Sequence, residues 1–151
     1  MRNKEQEIKS ISEIENLIEK ADICRLALCD NNMPYIVPLC FGYKDKTLYF
    51  HCAHEGKKID IIKKNNNVCF EIEADIEINK TENPCNWDMQ YQSVIGFGKA
   101  FLITDIHEKT AALDKLMSHY TEGKFQYNPN SLNRTLIIKV VIEEMTGKRS
   151  E

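Results

Sequence analysis

Two lysines, Lys57 and Lys58, follow Gly56 at the head of GKKIDIIKKN over 56–65, where Ile59, Ile61 and Ile62 recur at helical spacing. A helix N-terminus carries unsatisfied amides and a partial positive charge, so adjacent cations there oppose the dipole and each other. A preceding glycine lets another group approach the backbone closely. An anion held between the lysines, such as the phosphate of a ligand, resolves the conflict. The competing interpretation is a solvated basic face, because Lys63 and Lys64 continue the run. Residue chemistry alone leaves both open.

Just upstream stands His51-Cys52-Ala53-His54. Zinc asks for four ligands at characteristic spacings, and neither this segment nor a carboxylate cluster elsewhere completes such a set, so no metal is expected. Cys52 between two histidines suggests a reactive thiol, which would need a depressed pKa. His51, at a strand end, is expected to face the core or a ligand. Trp87, Tyr91 and Tyr43 are flat enough to stack on a ring or to fill an interface. No G-x-S-x-G, Walker motif or assignable catalytic triad is present. Gly96-Phe97-Gly98 lacks the rest of a dinucleotide fingerprint.

The chain around these residues has 151 positions, 42% hydrophobic and 28% charged, which is globular composition for one domain over 1–151. A net charge of −3 and a pI near 5.8 argue against general nucleic-acid binding, so any cationic site is local. The six cysteines form no CxxC pair, the N-terminus lacks the apolar core of a signal peptide, and no apolar run reaches membrane-spanning length. These features predict a cytoplasmic protein with reduced thiols and no membrane partner.

The elements that must position the candidate residues follow from periodicity and turn chemistry. Residues 1–10 read as a polar lead-in. Ser12 and Glu15 form a capping box for a helix over 13–21, with Ile14, Leu17, Ile18 and Ala21 on its apolar face. Residues 23–29, 35–43 and 47–52 alternate as strands, separated by Asp30-Asn31-Asn32 and Lys44-Asp45-Lys46, which predicts a three-strand meander. Pro38 should sit at a bulge or an unpaired edge.

A helix over 56–65 leads to a strand over 68–74, continuing past a bend to 79. Residues 80–90 look like a loop. A long strand over 93–104 is broken by Gly96 and Gly98, which mark a bulge, a barrel corner or a close approach. A helix over 107–120 presents Ala111, Leu113, Leu116, Met117 and Tyr120. A loop over 121–132, a strand over 134–144 and a short tail complete the chain. The order predicts an antiparallel barrel or sandwich flanked by helices, with the glycines favouring a barrel.

The segments CRLAL (24–28), PYIVPLCFGY (34–43), LYFH (48–51), EGKKIDII (55–62), VCFE (68–71), YQSVIGFGKA (91–100) and IEEMTGKRS (142–150) occur in order over nearly the whole chain. Together they resemble the pyridoxamine 5'-phosphate oxidase-like superfamily, and within it the nitroimidazole-resistance flavoproteins. The resemblance implies a mainly β (α+β) fold, an antiparallel split β-barrel with Greek-key character flanked by three to four helices. It also implies FMN as cofactor and a homodimer with two flavin sites across the interface.

On this resemblance Lys57 and Lys58 contact the flavin phosphate. Pro38, Leu39, Cys40 and Phe41 lie along the isoalloxazine ring, mainly through backbone. His51, Cys52 and Ala53 lie near the ribityl chain and ring edge. Trp87, Tyr91 and Ser93 come from the partner subunit. The sequence departs from the family at position 57, commonly Arg, where Lys57 gives up bidentate phosphate recognition. Position 52 is often a small hydroxyl residue, and Cys52 is a poorer hydrogen-bond partner. The chain is short and has only four arginines, Arg2, Arg25, Arg134 and Arg149, which argues against vitamin B6 oxidation.

The expected function is that of an FMN-dependent reductase, passing electrons from a nicotinamide donor to a small molecule such as a nitroaromatic, with His51 as proton donor or substrate contact. The alternatives are a flavin-binding or storage module without turnover, and a haem-binding split barrel with His51 or His54 as ligand.

Overall fold

Among the described residues the strand and helix signals assemble into one eight-stranded antiparallel sheet with four α-helices. The computed structural model describes residues 4–150; Met1, Arg2 and Asn3 of the lead-in and Glu151 of the tail lie outside them. In chain order the elements are β1 (Glu7–Ile8), α1 (Ile11–Lys20), β2 (Cys24–Asp30), β3 (Met33–Leu39), β4 (Gly42–Lys44), β5 (Thr47–Cys52) and α2 (Lys57–Lys64). They continue with β6 (Asn67–Asn79), β7 (Asp88–Ile103), α3 (Ile106–Tyr120), α4 (Pro129–Arg134) and β8 (Leu136–Ser150).

The sheet runs β3-β2-β6-β7-β8-β5-β4, with β1 paired to β8. Its seam is the β7–β8 pair. β8 pairs with β7 along almost its full length, with β5 through its first half, and with β1 near its end. Period-two alternation turns Val68, Phe70 and Ile72 of β6 inward and Cys69, Glu71 and Glu73 outward. Leu26, Phe50, Phe70, Val94 and Val140, from five different strands, meet in one core cluster, so the sheet curls around a shared interior. A bulge at Phe97/Gly98 in the β7–β8 ladder helps this curl. A Cβ at Gly96 would enter the Phe70 ring, and one at Gly98 the Val141 carbonyl, so both glycines serve close approach as well.

Two hairpins close as their turn residues direct. Asn31 and Asn32, then Asp45 and Lys46, take φ between 48° and 66°, the left-handed pair of a primed turn. Pro34 and Pro38 lie on β3, at the edge of the sheet, where a missing N–H costs no ladder bond on the open side.

The structure corrects several sequence expectations, among them the polar lead-in, where Glu7–Ile8 form β1. Residues 35–43 are two strands, because the chain leaves one edge of the sheet after Leu39 and enters the opposite edge at Gly42. The predicted meander is therefore two separate hairpins. The helix cap is Ser10, whose Oγ accepts the Glu13 amide at 3.5 Å, which leaves Glu15 free to accept the Tyr43 hydroxyl at 2.8 Å. In α3 the buried face is Lys109, Ala112 and Leu116, and Ala111 is exposed. Asn128 caps a short helix that begins in the predicted 121–132 loop, and Arg134 ends that helix instead of opening the strand. β7 starts at Asp88, and residues 145–150 continue β8 because β7, and at 147–148 also β1, supply backbone partners that composition does not announce.

Candidate functional site

Gly56, at φ 126° and ψ 161°, opens α2 in a conformation that side-chain-bearing residues rarely adopt. No side chain caps the helix there, and the space where a Cβ would stand is open. The other helices are all capped. Ser10 serves α1, Asp105 accepts the His107 and Glu108 amides at the head of α3, and Asn128 accepts the Asn130 amide at α4. The head of α2 thus offers free amides beside two lysines. Lys57 Nζ stands 4.6 Å from the centre of the Tyr35 ring. Lys58 is half-buried and its charge acts on the Cys52 thiol. The Lys57 ammonium therefore leans towards β3, while Lys58 lies within electrostatic reach of Cys52 at the end of β5.

His51 and Cys52 close β5 opposite Ile137 and Leu136. His51 and Ala53 are exposed, and Cys52 is half-buried with its thiol donating to the Leu136 carbonyl at 3.6 Å. Burial raises the Cys52 pKa, and Lys58 opposes that only in part, so the thiol stays protonated and is no activated nucleophile. His54 Nε2 lies 3.0 Å from the Asn133 carbonyl, and because a carbonyl only accepts, that nitrogen carries the hydrogen. Among the described residues no group of three or more His, Cys, Asp or Glu side chains is placed to hold a metal.

Pro38 and Leu39 end β3, and Cys40 and Phe41 carry the chain from that edge of the sheet to β4 at the other. Pro38 and Cys40 are exposed, and Leu39 packs partly against the core. The Phe41 ring is fully buried, 4.3 Å from the His119 ring. Its amide donates to the Tyr120 hydroxyl at 3.0 Å, so this N–H is already engaged within the chain. The crossing is a pinned segment with its Pro38–Cys40 side open.

Trp87, Tyr91 and Ser93 stand elsewhere. Trp87 is exposed and its Nε1 donates to the Thr81 carbonyl at 2.9 Å. Tyr91 pairs in register with Ser150 and its hydroxyl meets Lys148; Ser93 is buried opposite Lys148. His51 shares a ladder row with Ile137 and Ile103, at the far end of β7. On the order of 40 Å of strand separates Tyr91 from that row, at about 3.3 Å per residue. One chain sets Lys58, beside Lys57, within electrostatic reach of Cys52 and does not bring Trp87, Tyr91 or Ser93 to them. A hollow of about 900 Å³ lined by Lys4, Glu7, Ser10, Glu13 and Arg149 lies between the N-terminal segment and α1 and shares no residue with the candidate site.

Two contributors escaped the sequence reading. Tyr35 carried a weak signal, as an aromatic on the strand that also bears Pro38. Tyr120 carried none for this role, because 79 positions separate it from Phe41.

Comparison with known proteins agrees with the architecture. A family model described as pyridoxamine 5'-phosphate oxidase matches residues 10–149. The solved structure of a candidate 5-nitroimidazole antibiotic resistance protein from Bacteroides thetaiotaomicron superposes with a TM-score of 0.84 at 35% identity, over 96% of this chain and 90% of that one. The FAD and heme binding protein from Mycobacterium smegmatis superposes with a TM-score of 0.85 at 18% identity, over 97% of this chain and 74% of that one, which speaks to fold alone. An uncharacterized protein of Rhizobium meliloti (strain 1021) is 26% identical across 93% of each chain. With a split-barrel sheet and a family match over nearly its whole length, the chain belongs to the pyridoxamine 5'-phosphate oxidase family.

Proposed function

We propose that this protein is an FMN-dependent oxidoreductase, a single split-barrel domain acting as a homodimer with each flavin held at the interface. The observation that carries this is the head of α2: uncapped amides and two lysines, where the other three helices have polar side-chain caps. A phosphate fits that donor set, since it takes both the amide hydrogen bonds and the lysine charge. When bound, the flavin supplies the redox chemistry, carrying electrons from a nicotinamide donor to a small acceptor. The 35%-identical relative supports a nitroaromatic as that acceptor.

The chain's own residues bind and orient. Lys57 and Lys58 hold the phosphate. The crossing from Pro38 to Phe41, pinned through Tyr120, gives the ring a floor that does not shift. Cys52 and Ala53 border the sugar-like chain. His51, which is exposed at the end of β5, hands over a proton. Trp87 and Tyr91 of the partner close the other side, which is consistent with their distance from the candidate site within one chain, whereas Ser93, buried within its own chain, does not reach it.

The outer face of the β7–β8 seam supports the dimer. Ile95, Phe97, Phe101 and Val141 are 40–47% exposed there, and an apolar patch of this kind on a sheet face marks an association surface. The six free thiols support a reducing, cytoplasmic location. Among the described residues no helix is long and apolar enough to cross a membrane. Haem ligation through His54 has less support, because its Nε2 already donates to Asn133.

The absorption spectrum of the purified protein tests the proposal. A flavin band, bleached anaerobically by NADH or NADPH and restored by a nitroaromatic, is the expected result. A colourless protein that fails to take up added FMN sinks it, and a yellow protein that no nicotinamide bleaches reduces it to a flavin carrier.

A further inference from the structure

Lys57 meets an unfavourable field before any ligand arrives. It stands in the first turn of α2, at the positive end of the helix dipole, one residue from Lys58. An exposed lysine in that position would spread over many rotamers and turn away from the helix head. Instead its ammonium sits 4.6 Å from the centre of the Tyr35 ring. The negative π face of a tyrosine attracts a cation and partly offsets the dipole.

Tyr35 is itself held. It lies on β3 in register with Leu28 of β2, is half-buried, and packs against the core cluster. A ring fixed by a strand and a core is a rigid platform, and a cation resting on it gives up rotamer freedom in advance. Lys58, the other cation of the pair, is half-buried. The free amides of α2 lie at the head of the helix, with open space at Gly56.

We infer that Tyr35 is the positioning residue of the phosphate clamp: its ring holds Lys57 in place and so sets the preference of this site for a phosphorylated flavin over the unphosphorylated one. The inference rests on the phosphate role proposed above for Lys57 and Lys58. It assigns Tyr35 no contact with the ligand. Its effect passes through Lys57 and therefore depends on the phosphate.

Titration of the full-length protein with FMN and, separately, with riboflavin tests this. For Tyr35→Leu, which keeps bulk and loses the π face, FMN affinity falls about threefold to fivefold while riboflavin affinity stays the same. Tyr35→Phe keeps both affinities within about twofold. Combined with Lys57→Gln, Tyr35→Leu adds no further loss, because the two residues act as one unit. Tyr35→Met replaces Tyr35→Leu if the latter does not fold. Equal losses for FMN and riboflavin, full additivity with Lys57→Gln, or no loss at all overturns the role of Tyr35. If Lys57→Gln still removes the FMN preference in that case, the phosphate clamp itself survives. A wild-type protein that binds both flavins equally overturns the clamp and the inference together.

Discussion

The Tyr120 hydroxyl accepts the Phe41 amide at 3.0 Å and donates to the Asp22 carbonyl at 2.8 Å, tying the end of α3 to both the β3–β4 crossing and the segment after α1. His119 reinforces the tie through a 2.7 Å hydrogen bond to the Ala21 carbonyl and contact with the Phe41 ring. Burial pushes the Tyr120 pKa up, with the Phe41 amide opposing, so the phenol stays neutral and keeps both bonds at physiological pH. Tyr120→Phe leaves the Phe41 amide without its acceptor. It should cost roughly 1–2 kcal/mol in urea unfolding, a drop of about 3–6 °C in Tm. An unchanged midpoint would show that water replaces the hydroxyl.

Gly42 and Gly56 are needed for different reasons, and alanine at each separates them. A Cβ at Gly42 would stand 2.6 Å from the Leu116 backbone nitrogen, so α3 must move away from β4. Gly42→Ala is expected to lose about 2–3 kcal/mol of stability. Gly56 has open space but φ 126°, so Gly56→Ala should cost about 1–2 kcal/mol of local backbone strain. Hydrogen exchange should show the first variant loosened across α3 and the second only at the head of α2.

Replacing both Lys57 and Lys58 with alanine removes two charged donors from the phosphate site. FMN affinity is expected to fall on the order of 10- to 100-fold, with far-UV circular dichroism unchanged because both side chains lie outside the core. Calorimetric titration that returns the wild-type affinity would refute the phosphate assignment.

Phe97, 47% exposed on the outer face of β7, tests the dimer. Phe97→Glu places a charge in the proposed contact and should convert a sedimenting dimer into a monomer that binds FMN more weakly, since the partner's side of the site is lost. A wild-type protein that sediments as a monomer at micromolar concentration would remove this interface from the proposal.

Asp105 gives a pH signature. The Glu108 amide, followed by the His107 amide and the His107 charge, holds its carboxyl below the usual range. A depressed folded-state pKa contributes stability that is fully present above the unfolded value, about 3.9, and is lost as pH falls through the folded value. Asp105→Asn keeps a capping oxygen and loses the charge, so wild type should exceed it in urea midpoint at pH 6–7 and match it near pH 2. A gap that persists in acid would mean that the charge plays no part.

Much of the fold was legible because its cues are local. Asn31-Asn32 and Asp45-Lys46 turn the chain whatever surrounds them, and the alternation of Val68, Phe70 and Ile72 marks a strand before any partner is known. The phosphate candidate was legible for the same reason, since Gly56, Lys57 and Lys58 are neighbours in sequence. The capping serine was misplaced because Ser10–Glu13 and Ser12–Glu15 share one spacing. Only the pull of Tyr43 on Glu15 distinguishes them.

By itself the sequence determined most of the strands, the two tight turns, the cationic helix head and the family, all of which are written in contiguous residues or in their order. Tertiary structure alone decided that β3 and β4 lie at opposite edges of one sheet, since alternation says which face a side chain takes and nothing about which strand stands beside it. It also decided that residues 145–150 are a strand, because the backbone of β7, and of β1 at 147–148, supplies their ladder. Finally, it set Lys57 on Tyr35 and Phe41 on Tyr120. These contacts join residues far apart in sequence, and they form only once the hydrophobic core has closed the chain around them.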